Sequence, residues 1–212
     1  QYNGSGGNAT LPHGLSQSPD FVMVKTISSN NVNWTCWHKG LTDGTKYVML
    51  NQTDHENGLA TVWNSTVPTS SVISFGSDVG TNKDTDDYMA YCWHDVPGLQ
   101  KFGTYTGNGS SDGPFIELGF KPAIFWMKAA TSTGNWIIID NKRPGYNPDQ
   151  KTLCPNLSNA ENASGGTTND MLSNGFKVRG TTDRNASNVT YIYCAWAEAP
   201  SINLYGAQSN AR

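Results

Sequence analysis

The chain repeats itself at long range, and that constrains its fold more than any single motif. The opening YNGSGGNATLPHGLSQSPDFVMVK returns as residues 105–128, with Tyr2 matching Tyr105, Gly4 matching Gly107, Leu15 matching Leu118, Pro19 matching Pro122 and Lys25 matching Lys128 (122 − 19 = 103). Further on, Asn33-Trp34 recurs as Asn135-Trp136 and Asn51–Glu56 as Asn156–Glu161. Tyr91-Cys92, with Trp93 and Pro97, recurs as Tyr193-Cys194 with Trp196 and Pro200. A period of this length lies outside the range of stacked solenoid repeats and predicts a duplicated domain or half-domain. We therefore place the units at 1–99 and 100–212.

The segments between the turns carry strand signals. FVMVKTI (21–27), NWTCWH (33–38), KYVML (46–50), VISF (72–75), YMAYCW (88–93), IFWMK (124–128), NWIIID (135–140) and TYIYCAW (190–196) are short and β-branched or aromatic, and Gly, Pro, Asn or Asp bounds them. Runs such as FVMV and YIYCAW are apolar without alternation, as in strands covered on both faces. The one helix-compatible piece, Leu157 to Ala163, is a turn or two long. The expected fold is all-β: two similar antiparallel β-sandwich, jelly-roll-like units from an internal duplication. The halves could also complete one larger sandwich. Trp93 and Trp196, inside apolar strands, are expected in the core.

Charge excludes several partners. Asp, Glu, Lys and Arg make up 15% of the residues and the formal net charge is −3, so no basic field exists for nucleic acid or an anionic membrane. No window approaches 18 apolar residues, so membrane insertion is not expected. The chain opens on Gln1 rather than Met, as a fragment or a processed product would. Cys36, Cys92, Cys154 and Cys194 form no CxxC pair, Cys36 and Cys154 do not align between the copies, and four free buried thiols are expected.

The chemistry-bearing patterns are mostly negative. The glycine turns at 4–7 and 107–113 lead into strands rather than helices, which a phosphate cradle would need. The four glutamates, Glu56, Glu117, Glu161 and Glu198, include no pair at the close spacing of a glycosidase strand. The four histidines fall in different segments and none recurs in the second copy. Asp84-Thr-Asp-Asp87 has the oxygens of a small calcium loop, but the aligned Ser187-Asn-Val-Thr190 lacks all three acids, so we read it as a polar turn. Catalytic residues, metal ligands and a cofactor are all expected to be absent.

Several strings, in order, carry a resemblance: Tyr105-Thr-Gly-Asn-Gly-Ser110, Gly119-Phe-Lys-Pro122, Gly134-Asn-Trp136, Pro155-Asn-Leu-Ser-Asn-Ala-Glu161, Leu172-Ser-Asn-Gly-Phe-Lys177 and Tyr191-Ile-Tyr-Cys-Ala-Trp-Ala-Glu198. The chain resembles, as two copies, the repeat domain near the C-termini of tail-fibre and related appendage proteins of tailed bacteriophages, notably marine and cyanophage types. The resemblance implies a non-enzymatic virion module for attachment to a host-surface glycan. It also implies other virion proteins as partners, a homo-oligomer, most simply a trimer, assembly in the host cytoplasm and a place on the virion surface. Two alternatives stand beside it, a purely structural capsid, fibre or filament subunit and a polysaccharide depolymerase.

Seven Trp and nine Tyr in a charge-poor chain suit sugar C–H faces. Because sandwich loops carry recognition, candidate contacts are sought where the copies diverge. These are segment 52–67, with Asp54, His55 and Trp63; segment 141–150, with Asn141, Arg143, Tyr146 and Asp149 around a Pro-Gly turn; and segment 161–170, with Asn162, Asn169 and Asp170. Each also suits an ordinary solvated turn.

Overall fold

A computed structural model describes residues 1–143, 146–149, 151–163 and 168–199. The protein is all-β, 41% strand and 4% helix, with every strand pair among the described residues antiparallel. It divides into two compact units between His94 and Asp95. The divide falls ahead of residue 99 because Val96 and Gln100 exchange both backbone hydrogen bonds, at 3.0 Å each, and tie this turn to the strand that follows.

The first unit contains β1 (Tyr2–Asn3), β2 (Ala9–Pro12), β3 (Phe21–Thr26), β4 (Thr35–His38), β5 (Lys46–Met49), β6 (Asn57–Gly58), the single-turn helix α1 (Ala60–Trp63), β7 (Val72–Phe75) and β8 (Asp87–Trp93). Its main sheet runs β1-β8-β3-β4-β5-β6, and β2 pairs with β7. One face of the main sheet packs Val22, Val24, Trp37 and Tyr88 against Val62 and Trp63 of the helix and Ile73 and Phe75 of β7. The apolar run of β3 is buried on both faces, Phe21 included, which explains why it lacks alternation.

The second unit contains β9 (Gln100–Thr106), β10 (Phe115–Glu117), β11 (Pro122–Ala129), β12 (Ile137–Asp140), β13 (Lys151–Thr152), β14 (Asn162–Ala163), β15 (Thr168–Leu172), β16 (Gly175–Arg179) and β17 (Thr190–Ala197), with a 3-10 turn at Asp183–Asn185. A four-stranded sheet, β12-β11-β17-β9, faces a three-stranded sheet, β10-β16-β15. Phe125 from the first stacks on Phe176 from the second, with ring centroids 4.1 Å apart and planes 9° apart. Removing either fully buried ring would cost about 3–5 kcal/mol in transfer and cavity terms.

Both units use the same backbone devices. In β3–β8 the register pairs Thr26 with Tyr88, Lys25 with Met89 and Phe21 with Trp93. In β11–β17 it pairs Ala129 with Tyr191, Lys128 with Ile192 and Ile124 with Trp196, each 103 residues on (191 − 88 = 103). A buried asparagine locks the opening turn of each unit. The Asn82 carboxamide accepts from Ser5 N at 2.8 Å and donates to Gly7 O at 2.6 Å and Gly76 O at 2.8 Å. The Asn185 carboxamide accepts from Asn108 N at 2.9 Å and donates to Ser110 O and Gly180 O at 2.7 Å each. Two glycines are required by close approach. A Cβ on Gly4 would meet the Lys83 carbonyl oxygen at 1.9 Å, and one on Gly107 would meet that of Ala186 at 2.2 Å.

Several expectations need correction. Residues 157–163 form no helix; the chain turns at Leu157 and pairs as β14, while the one α-helical turn among the described residues is Ala60–Trp63. Trp93 and Trp196 are half-buried rather than core, because strand alternation sends Tyr88, Ala90 and Cys92 to the core face and Tyr91 and Trp93 to the other. For the same reason Cys92 and Cys194 are not equivalent: Cys92 pairs with Val22 and Cys194 with Trp126, one residue out of register. The four thiols are free, but Cys92 and Cys154 are only half-buried. Burial raises the Cys36 thiol far above its ordinary value and pushes Cys92 up to about 11.

Candidate functional site

The expected contact residues separate by unit. In the first, Asp54 and His55 are exposed on the turn before β6, whose Asn57 side chain donates to the His55 carbonyl at 3.2 Å. Trp63 is not a surface residue. It is 1% exposed, and its ring packs on Phe75 with centroids 5.9 Å apart, so helix α1 has turned it inward as a core residue.

In the second unit the structure draws Arg143, Asp149 and Asn169 into one polar cluster. Arg143 Nε meets Asp140 Oδ2 at 2.5 Å, and its Nη1 meets Glu161 Oε1 at 3.4 Å. Asp149 and Asn169 exchange backbone hydrogen bonds at 2.7 and 3.1 Å, which sets their side chains on one face, both buried. Burial opposes ionisation of Asp140, but the amides of Lys142 and Arg143 and the Arg143 guanidinium outweigh it and hold its carboxyl below the usual range. Burial dominates at Asp149, and with a smaller push from Asp140 it raises that carboxyl to about 6 against the Lys151 amide.

Asn141 donates to Glu198 Oε2 at 3.1 Å, and Tyr146 is 72% exposed. The Pro144-Gly145 turn, residues 164–167 and the Asn162 side chain lie outside the described residues. Within the cluster, ion pairs hold Arg143 to Asp140 and Glu161, whereas Arg143 Nη2 and the buried Asn169 carboxamide have no hydrogen-bond partner among the described residues.

Beside it, and reached through Arg184, whose charge acts on Asp149, lies a cleft of about 450 Å³. Strand β11 supplies Lys128 and Ala129, the turn at 132–135 supplies Ser132, Thr133 and Asn135, and the segment after β13 supplies Cys154. The 3-10 turn supplies Asp183 and Arg184, and Ala186 and Tyr191 close the wall. Lys128 and Arg184 are buried, at 1% and 3% exposure. Lys128 Nζ donates to the Ala129 carbonyl at 3.0 Å, and the Arg184 carbonyl accepts from the Tyr105 hydroxyl at 2.8 Å, fixing the 3-10 turn to β9. Two cations, a carboxylate at the rim, hydroxyls, a carboxamide and apolar wall can hold a ring-sized polar ligand, and the volume suits one.

A second feature lies on the first unit. On the face of β8 turned away from the core, Trp34, Tyr91 and Trp93 form a row with centroids 6.4 and 6.2 Å apart, and Tyr91 is 42% exposed. Among the described residues no three His, Cys, Asp or Glu side chains converge as metal ligands would. Asp86 of the suspected calcium turn is committed to Ser29 Oγ at 2.5 Å and Lys83 Nζ at 3.1 Å. No described helix is long and apolar enough to cross a membrane.

Fold and site together define a protein of antiparallel sheets with a polar cleft in its second unit. A family model described as Domain of unknown function (DUF7483) matches residues 1–200, and the chain belongs to that family. The match runs across the divide at His94 and Asp95, so the family's domain includes both units. No curated protein and no solved structure gave a significant match.

Proposed function

We propose that the chain is a non-enzymatic attachment module of a virion appendage, built as two sandwich halves from one duplicated ancestor, and that it recognises a host-surface glycan. The observation that carries the glycan reading is the cleft of about 450 Å³, where hydroxyl, carboxamide and charged groups converge beside apolar wall. What supports the duplication is the shared strand register and the paired asparagine locks. The tail-fibre resemblance gives the appendage, the virion surface and a trimeric assembly with other virion proteins. Binding of the intact chain to host-cell polysaccharide, followed together with release of new reducing ends, tests the reading. Saturable binding without new ends supports it, new ends convert it to a depolymerase, and no binding to any host polysaccharide overturns it. Light scattering tests the assembly, a monomer at micromolar concentration counting against the trimer.

A further inference from the structure

Three residues of the cleft stand where the first unit holds the partners of a buried carboxylate. There the Asp86 carboxylate is held by Ser29, Lys83 and Thr26, and these bonds keep it well ionised. By the register of β3–β8 and β11–β17, the counterparts of those three residues are Ser132, Ala186 and Ala129 (129 − 26 = 103). All three line the cleft. The counterpart of Asp86 is Val189, which packs partly against the core. The second unit thus keeps the serine hydroxyl and has lost the carboxylate, the lysine and the threonine that close the space in the first. Lys128 has its counterpart in Lys25, and Arg184, which stands where the first unit has Thr81, adds a second basic residue to the wall, with Asp183 the one carboxylate among the lining residues.

We propose that this cleft binds the carboxylate of an acidic sugar, a pyranose-sized ring bearing one carboxyl group, which accepts from the Ser132 hydroxyl as Asp86 accepts from Ser29 in the first unit. This rests on the attachment reading and names its ligand class. The carboxylate meets the Ser132 hydroxyl and the Lys128 and Arg184 cations, while the ring hydroxyls face Thr133 and Asn135. A charged group held by two desolvated cations is recognised far better than a neutral isostere, because hydrogen bonds to ions are about twice as strong as neutral ones.

The test titrates the intact chain with D-glucuronate and D-glucose by calorimetry, and follows alkylation of Cys154, which lines the cleft, with and without each sugar. Glucuronate is expected to bind at least tenfold more tightly than glucose and to slow Cys154 alkylation at least threefold. The triple variant Ala129→Thr, Ala186→Lys, Val189→Asp restores the first unit's residues. It is expected to weaken glucuronate at least tenfold while keeping a cooperative thermal transition. Equal binding of the two sugars, no glucuronate binding, or binding that leaves Cys154 alkylation unchanged overturns the inference. Host polysaccharide that still binds in those cases leaves the attachment reading standing, whereas glucuronate binding with no host polysaccharide bound sinks that reading and leaves the inference intact.

Discussion

Replacing Asn185 with alanine should unlock the second unit and leave the first in place. Asn185 is fully buried, and its carboxamide satisfies one amide and two carbonyls from two different turns. Asn108 and Ser110 are exposed, so their orphaned groups can turn to water, and each lost bond costs about 1 kcal/mol. The Gly180 carbonyl is buried, and stranding it costs about 1–3 kcal/mol. The total is about 3–5 kcal/mol, or roughly two to four powers of ten in an opening equilibrium. Peptide-level hydrogen exchange reads each unit separately. It should show protection of the 105–110 turn, where Gly107 and Gly109 amides bond to Val189 and Asn185 carbonyls, falling at least about a hundredfold, with the first unit unchanged. The mirror variant Asn82→Ala should do the same to residues 2–7. Protection in Asn185→Ala within threefold of the parent would refute the reasoning.

Other outcomes follow from the same geometry. Asp149 has a folded pKa raised to about 6, so the folded chain holds that proton more tightly than the unfolded one. The resulting destabilisation is absent below about pH 4 and complete above about 6, up to about 3 kcal/mol. Asp149→Asn keeps the acceptor for the Lys151 amide, and should raise the melting temperature at pH 7.5 and flatten its fall between pH 4 and 6.5; a lowered melting temperature at pH 7.5 counts against this. Gly107→Ala drives a Cβ to 2.2 Å from the Ala186 carbonyl oxygen, and should lower the denaturation midpoint markedly, while Gly7→Ala, with open space around it, should cost less than about 1 kcal/mol. Tyr91→Ala removes the exposed ring of the aromatic row, and a contribution of about 1.4 kcal/mol would weaken host-polysaccharide binding about tenfold. Unchanged affinity would remove the row from the binding surface.

Much of the fold was legible because its strands are short apolar runs with clear punctuation: Phe21–Thr26, Val72–Phe75, Asp87–Trp93 and Thr190–Ala197 fall within a residue of where β-branched and aromatic content puts them. The hairpin Thr168–Leu172 and Gly175–Arg179 was not, since TNDML buries only Asn169 and GFKVR sets its buried Phe176 and Val178 among glycine and basic residues. The face assignment of Trp93 and Trp196 failed because an unbroken apolar run conceals which alternate residues look inward.

The cleft was hidden for a different reason. Two of its lining residues, Ala129 and Ala186, stand where the first unit has Thr26 and Lys83, and the signal in the sequence was the loss of Asp84, Asp86 and Asp87 at the aligned turn. That loss argues against a repeated calcium loop, but whether it also leaves space requires knowing that Asp86 reaches Ser29, a contact across 57 positions of sequence. Lys128 and Arg184 likewise look like ordinary strand and turn residues until β11 and the 3-10 turn bring them to one wall.

The central claim, that this chain attaches to acidic glycans through the second-unit cleft, is tested most directly by nuclear magnetic resonance. A titration of the isotope-labelled intact chain with uronate-containing oligosaccharide cut from host surface polysaccharide would follow the backbone amides of Lys128, Ser132, Asn135 and Arg184. Saturable shifts centred on those amides, reversed by excess D-glucuronate and absent in the triple variant, are expected. Shifts centred elsewhere with those four amides unmoved, or no shifts at millimolar oligosaccharide, would contradict the claim.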